Sequence, residues 1–282
     1  MTSATGVTPA SASVSPPAGR RGGFGPLLLS EWTKIRSVRS TIWTLIVFVV
    51  VTVGFTALFT VLTVTNWNGP RAATRNATII ADPVSFILGA GTGLGQLAIA
   101  VLGVLLITTE YSTGVIRASL LAVPKRIPML AAKAVVFAAL IFVVAEIVTF
   151  SSFFVGSTIL HSRVIVSLSQ PGVARAVVGT GLSLTVLGLF SLAIGALIRH
   201  TAGGIATAIG VVFVLPILSG LLPGSWGAHV NAYLPEQAGG LITQAHQKAT
   251  DLLSPWQGFG VFCLWTAVLL AAAGYLLNRR DA

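Results

Sequence analysis

AKAVVFAALIFVVAEIVTFSSFFVGS, Ala132 to Ser157, decides the fold. It holds 26 residues with one charge near its start, Lys133, and one near its middle, Glu146. About 20 mostly apolar residues in an α-helix cross the hydrocarbon core of a bilayer, so this run reads as a membrane span. Five further runs meet the same standard: 41–63, 86–109, 174–198, 203–222 and 258–277. Gly188 and Pro216 fall inside two of them, which membrane helices tolerate. No run alternates apolar and polar residues over strand lengths, which argues against a β-barrel. The expected fold is an all-α integral membrane protein with six transmembrane helices, filling a domain over 41–282.

Composition agrees. Of the 282 residues, 54% are hydrophobic and only 9% charged. A soluble chain carries about 25% charged residues to cover its surface. One cysteine, Cys263, excludes a disulfide scaffold. The formal charge of +10 would point to nucleic acid in a soluble protein, but here the basic residues sit at the ends of apolar runs. No nucleic-acid partner is expected. Alternating the six spans puts Arg20, Arg21, Lys34, Arg36, Arg39, Arg117, Lys125, Arg126, Lys133, Arg199, Arg279 and Arg280 on one face. The other face receives Arg71, Arg75, Arg163, Arg175 and Lys248. The richer face is expected to be cytoplasmic, with both termini there. Arg-rich, Ala/Gly/Val-rich usage hints at a bacterial source, and so at the bacterial cell membrane.

Outside the spans, Met1–Gly23 is Ser-, Thr-, Ala-, Pro- and Gly-rich and reads as a disordered tail. Over 24–40, Pro26 opens a helix, and Leu28, Trp32 and Ile35 recur at spacings of four and three. Lys34, Arg36 and Arg39 lie largely off that stripe. An amphipathic helix on the membrane surface fits, as does a solvated extension of the first span. Between spans two and three, TTEYSTGVIRASLLAVPKRIPMLAAK (Thr108–Lys133) has Val115, Ile116, Leu120 and Val123 at near-helical spacing. A short amphipathic helix is expected, able to lie in lipid or to fit a groove on a soluble partner. The loop 223–255 carries Trp226 and Tyr233, with Trp256 just after it, as anchors for short helices at the membrane interface or as an aromatic belt.

Catalytic and metal motifs are missing from the sequence. There is no phosphate loop, not even a Gly-Lys pair, so ATP hydrolysis by this chain is not expected. The four histidines are scattered, and no metal site is expected. Gly89, Gly91, Gly93 and Gly95 do not form a strict dinucleotide motif. Spaced four apart, Gly89/Gly93 and Gly91/Gly95 each line a helix face that another helix can approach closely, including at a subunit interface. Glu146 sits near a span centre, where a charge costs at least about 2.5 kcal/mol. Three readings stand open for it: a neutral acid hydrogen-bonded to a neighbouring helix, a group on a substrate path, or a proton carrier.

Glu110, Tyr111, Gly114, Ile116 and Arg117, followed by Leu120, Leu121, Ala122, Pro124 and Arg126 and by Ala131–Lys133, resemble the permease subunits of type-2 ABC exporters. Ser30–Ser37 looks like the opening helix of such permeases. Tyr233, Leu234, Pro235, Ala238 and Gly239, then Leu253–Phe259 and Arg279–Ala282, also fit in order. The resemblance runs from about Pro26 to the end. It implies a homo- or heterodimer of permeases bound to two copies of a separate ATPase, which holds the ATP and Mg; this chain would bind no cofactor. It further implies that Glu110, Tyr111, Gly114, Ile116, Arg117 and Leu120 belong to a coupling helix seated on that ATPase. Trp32, Lys34 and Arg36 would belong to a surface helix touching it. Tyr233, Leu234 and Pro235 would lie in external re-entrant helices that help close the exit. The cargo implied is an amphiphile, lipid, peptide or drug-like molecule. Two other functions remain open on the residues alone: a proton-coupled secondary transporter using Glu146, and a membrane assembly protein without transport.

Overall fold

A computed structural model describes residues 24–70, 72–114, 126–222 and 224–279. Among these there is no strand. The helices are α1 (Phe24–Ser37), α2 (Arg39–Thr65), α3 (Ala72–Ala81), α4 (Pro83–Ser112), α5 (Arg126–Leu160), α6 (Val173–Ile198), α7 (Thr201–Ile209), α8 (Leu215–Gly220), α9 (Gly224–Ala232), α10 (Pro235–Gly240) and α11 (Pro255–Arg279). Six segments are long and apolar enough to cross a membrane: 39–65, 83–112, 127–160, 173–198, 201–220 and 255–279. The chain is therefore a multi-pass membrane protein by length and composition. The helices overrun the six expected apolar runs at most of their ends, because the hydrogen-bonded ladder continues beyond the apolar residues.

Helix α6 is the axis of the bundle. It packs on α4, α5, α7 and α11, and 72% of its apolar window is buried within the protein. Small residues make its closest approach to α4. A Cβ on Gly103 of α4 would lie 2.4 Å from the Gly188 carbonyl oxygen of α6. The ring of Phe190 in α6 meets Phe262 of α11 at 5.7 Å between centroids.

Helix α2 turns its hydroxyl residues inward. Thr52, Thr56, Thr60 and Thr63 are buried, while Val50, Leu58, Val61 and Leu62 are exposed. Facing lipid, an apolar side chain gains nothing from burial, so small residues take the helix contacts. Thr60 donates to the Thr56 carbonyl at 2.7 Å, which satisfies its hydroxyl locally.

The glycine ladder of α4 divides into two faces. A Cβ on Gly91 would lie 1.9 Å from the Thr52 carbonyl oxygen, and one on Gly95 would lie 2.0 Å from the Thr52 hydroxyl. Gly91 and Gly95 thus seat α4 on α2 of the same chain, not on a second subunit. Gly89 and Gly93 face open space: a Cβ on either would meet nothing within 4 Å.

Two departures from the sequence expectation have local causes. The fifth span is not one regular helix: a π-helical segment, Gly210–Val214, separates α7 from α8. Pro216 has no N–H to give, and the backbone widens just before it. The short helix α3 between spans one and two, which buries Ala72 and Ile79, was not expected. Asp82 at its end caps α4, accepting from the Ser85 N–H at 3.0 Å, and Pro83 occupies the first turn.

Candidate functional site

Four charges meet at the end of the bundle where α1, the last turn of α4 and the first turns of α5 converge. Lys133 on α5 donates to Glu31 on α1 and, at 2.7 Å, to Glu110 on α4. Lys34, one turn after Glu31, donates to the other Glu31 oxygen at 2.7 Å and lies 3.7 Å from Glu110. Glu31 and Lys133 are only 2% and 1% exposed. The cluster is neutral in sum, as a buried group must be to avoid a large desolvation cost.

Burial pushes the Glu31 carboxyl up, but Lys133 and Lys34 together outweigh it and hold it below its usual range. Burial likewise pulls the Lys34 ammonium down, and the carboxylates of Glu31 and Glu110 outweigh that and hold it above its usual range. Both shifts favour the charged forms. The Glu31 contribution is present above about pH 4.5 and lost as pH falls through its folded value. That of Lys34 is present below about pH 10.5 and lost as pH rises through its folded value. Between these limits Glu31 and Lys34 are both ionised.

The cluster clamps both flanks of the loop between α4 and α5. Beyond Glu110, the guanidinium of Arg199 stands 5.1 Å over the Tyr111 ring, joining the end of α4 to the end of α6. The Thr201 hydroxyl of α7 donates to that of Thr108 at 3.1 Å. Gly114 then stops α4 with φ +71°, a left-handed conformation that a side chain resists. The structure therefore gathers Glu110, Tyr111, Gly114 and Lys34 at one place. Ile116, Arg117 and Leu120 lie outside the described residues.

On α1 the face toward the bundle is centred on Leu28, Glu31 and Ile35. Trp32, expected on the inner stripe, is 44% exposed, and Arg36 is exposed too. A polar residue took the inner position because two lysines meet it there. Sequence reasoning passed over Glu31 and Lys133 as partners. The available signal was Lys133, placed just inside an apolar run at the same bundle end as Glu110.

Glu146 lies elsewhere, on the α5–α6 contact. Both carboxyl oxygens are buried and neither has a hydrogen-bond partner. A Cβ on Gly181 of α6 would lie 2.4 Å from one of them, so the absence of a side chain at Gly181 makes the room. Of the three readings of Glu146, the one with a hydrogen bond to Ser, Thr or backbone of a neighbouring helix has no such bond in this structure.

At the opposite bundle end, Tyr233, Leu234 and Pro235 form the joint between α9 and α10. Trp265 of α11 donates its indole N–H to the Tyr233 carbonyl at 3.1 Å. Leu234 and Pro235 are buried while Tyr233 is exposed.

No family model matches the chain, and no curated protein matches it.

Proposed function

We propose that this chain is the transmembrane permease subunit of a type-2 ABC exporter, moving an amphiphilic or drug-like substrate. It would pair with a second permease, identical or different, and carry two copies of a separate ATPase that binds ATP and Mg. In this reading the membrane is a bacterial cell membrane, and the charged-cluster end, with both termini, faces the cytoplasm. Arg279, beside the neutral cluster, adds positive charge to that end.

The observation that carries the reading is the buried Glu31–Lys34–Glu110–Lys133 cluster. It ties the amphipathic helix α1 to both flanks of the 115–125 loop. A partner pressing on the loop or on α1 would move α4 and α5 together, since a half-broken buried ionic cluster is expensive. ATP-driven closure of the partner dimer would supply the differential binding that shifts the bundle between two states. The remaining coupling residues, Ile116, Arg117 and Leu120, would form the seat for the ATPase, and the helices α9 and α10 would close the exit.

Affinity purification from the native membrane in mild detergent tests this. An ATPase with a phosphate loop should co-purify with the wild type and be lost when Gly114–Arg117 are altered. A folded, intact preparation without such a partner refutes the reading. Proton-coupled transport is the second reading, favoured by one observation: the unpartnered carboxyl of Glu146 within a span. A Glu146→Gln variant that transports normally rules it out.

A further inference from the structure

The second half of the fifth span leaves the bundle. Its first half, α7, packs on α4 and α6. From Gly210 on, the π-helical segment packs substantially only on the helices either side of it, and α8 only on that segment and on α9. Ile217, Leu218 and Leu221 are exposed as a result. Helix α9 in turn meets α8 and, more sparsely, α10. Among the described residues, the α8–α9 hairpin thus has no substantial contact with α2, α4, α5, α6 or α11. A segment held by so few contacts belongs to the low end of local stability.

Within the hairpin the two helices are lashed together. Asn231 of α9 donates its side-chain amide hydrogens to the Ser219 hydroxyl at 2.7 Å and the Pro216 carbonyl at 3.1 Å, both on α8. Ser219 donates to the same carbonyl at 2.9 Å. A Cβ on Gly227 would lie 2.5 Å from the Leu222 carbonyl oxygen, so the turn is closed tightly as well. The pair therefore moves as one piece.

Each end of that piece is a joint. At one end the π-helical segment Gly210–Val214 precedes Pro216, which cannot supply its ladder N–H. Gly210 has open space around it. Prolines and π-bulges are where helices bend by more than about 20°. At the other end the chain is pinned at Tyr233, whose carbonyl accepts the Trp265 indole N–H of α11. Beyond that pin it is fixed. Ser183 of α6 donates to the Gly239 carbonyl at 3.4 Å, and a Cβ on Gly179 of α6 would lie 2.7 Å from the Ile242 carbonyl oxygen. Gly258 of α11 is pressed on the Ala238 carbonyl. Helix α10 thus belongs to the bundle, whereas α9 does not.

Between the hairpin and this fixed floor, at the bundle end opposite the charged cluster, lies an open cavity of about 850 Å³. Ser219, Ala228 and Asn231 line it from the hairpin, and Gln237, Thr243 and Thr250 from the floor. The space gives the hairpin room to swing. From Val214 to Leu222 a helix rises about 12 Å at 1.5 Å per residue, so a bend of about 25° moves the tip by about 5 Å.

We propose that the α8–α9 hairpin is a lid, hinged at Gly210–Val214 and at Tyr233, that closes over this cavity while α10 stays fixed. The lid refines the exit-closing role given above to α9 and α10, assigning movement to one and support to the other. It is measured on this chain without an ATPase, so it stands or fails separately from the co-purification.

Spin-label distances in the full chain in nanodiscs test it, with Cys263→Ser in every variant and cysteine pairs at exposed positions. The pair Ala228→Cys and Thr250→Cys spans the cavity; Gln237→Cys and Thr250→Cys spans only the floor; Leu218→Cys and Ala228→Cys lies within the hairpin. The first distribution should extend over about 5 Å more than the second, and the third should stay single and narrow. Asn231→Leu should broaden the third about twofold and leave the floor pair unchanged. A cavity-spanning distribution as narrow as that of the floor, a floor pair that spreads equally, a hairpin pair as variable as the cavity pair, or a hairpin pair indifferent to Asn231→Leu overturns the lid.

Discussion

Replacing Lys133 with Met tests whether the ionic cluster is what holds α1 to the bundle. Met matches the length of the lysine stem and keeps the packing, but removes the ammonium. Glu31 and Glu110 are then left with Lys34 alone, which lies 2.7 Å from one and 3.7 Å from the other. Breaking a buried pair by deleting one partner costs about 3–5 kcal/mol. Lys34, partly exposed, returns a fraction of that, so about 2–3 kcal/mol is the expected loss. That is roughly a 30- to 150-fold rise in the open population of α1. Hydrogen exchange of the α1 amides in nanodiscs reads this population directly. Faster exchange should be confined to α1 and the ends of α4 and α5, with the middle of α6 unchanged. Adding Glu31→Gln to Lys133→Met should recover part of the loss, since it removes one of the two stranded carboxylates. The clamp is refuted if α1 protection in Lys133→Met stays within about twofold of wild type, or if the double variant is no better than the single.

Other contacts make equally definite demands. Gly91→Val should prevent α2 from seating on α4 and sharply lower the melting temperature or the yield of folded protein, because its Cβ would fall on the Thr52 carbonyl; Gly93→Ala, with open space around it, should melt within about a degree of wild type. Gly114→Val should strain the end of α4 by about 1–2 kcal/mol through its left-handed backbone, whereas Ser112→Ala next to it, an exposed position, should not, as thermal melts of the two would show. Raising the Glu236 pKa from 4.5 to about 7 makes the folded state hold more protons than the unfolded one between these values. Stability should therefore fall as pH rises from about 4.5 to 7, by up to about 3 kcal/mol, and level off above. Melting curves across that range should show the decline in wild type and a smaller one in Glu236→Gln; a rise with pH that Glu236→Gln abolishes would reverse the assignment.

Hydropathy located the six spans because lipid imposes a simple demand: long apolar helices with their backbone satisfied within themselves. Within the bundle the same demand erases the signal. A lipid-facing valine and a core valine look alike, so sequence did not reveal that α2 turns Thr52, Thr56 and Thr60 inward or that α6 is the axis. The spacing of Gly91 and Gly95 announced a close helix approach but not its partner, which proved to be α2 of the same chain. Lys133 and Glu110 stood at the same end of adjacent spans, and their pairing was open to inference. Glu31 was harder, because it is 102 residues from Lys133 in the chain, and the apolar spacing of α1 drew the eye to Trp32 instead. The break in the fifth span followed from Pro216, a residue that membrane helices accommodate by local adjustments of this kind, so hydropathy alone did not mark it.

The acidic residues separate structural from functional ground most clearly. Six of them lie among the described residues: Glu31, Asp82, Glu110, Glu146, Glu236 and Asp251. Glu31 and Glu110 are paired with lysines, Asp82 caps α4, and Asp251 accepts a backbone N–H. Each of these four has work that folding alone accounts for. Glu146 and Glu236 have no such partner among the described residues, and they differ in setting: both Glu146 oxygens are buried, whereas Glu236 lies in the wall of an open cavity. An unpaired carboxyl that weakens the fold is expected where its charge or its proton is used by something outside the chain. Glu236 opens on a cavity, whereas the Glu146 carboxyl is packed against Gly181. Any role of Glu146 requires α5 and α6 to shift, and the clamp at the start of α5 is where a force on the 115–125 loop would make them do so.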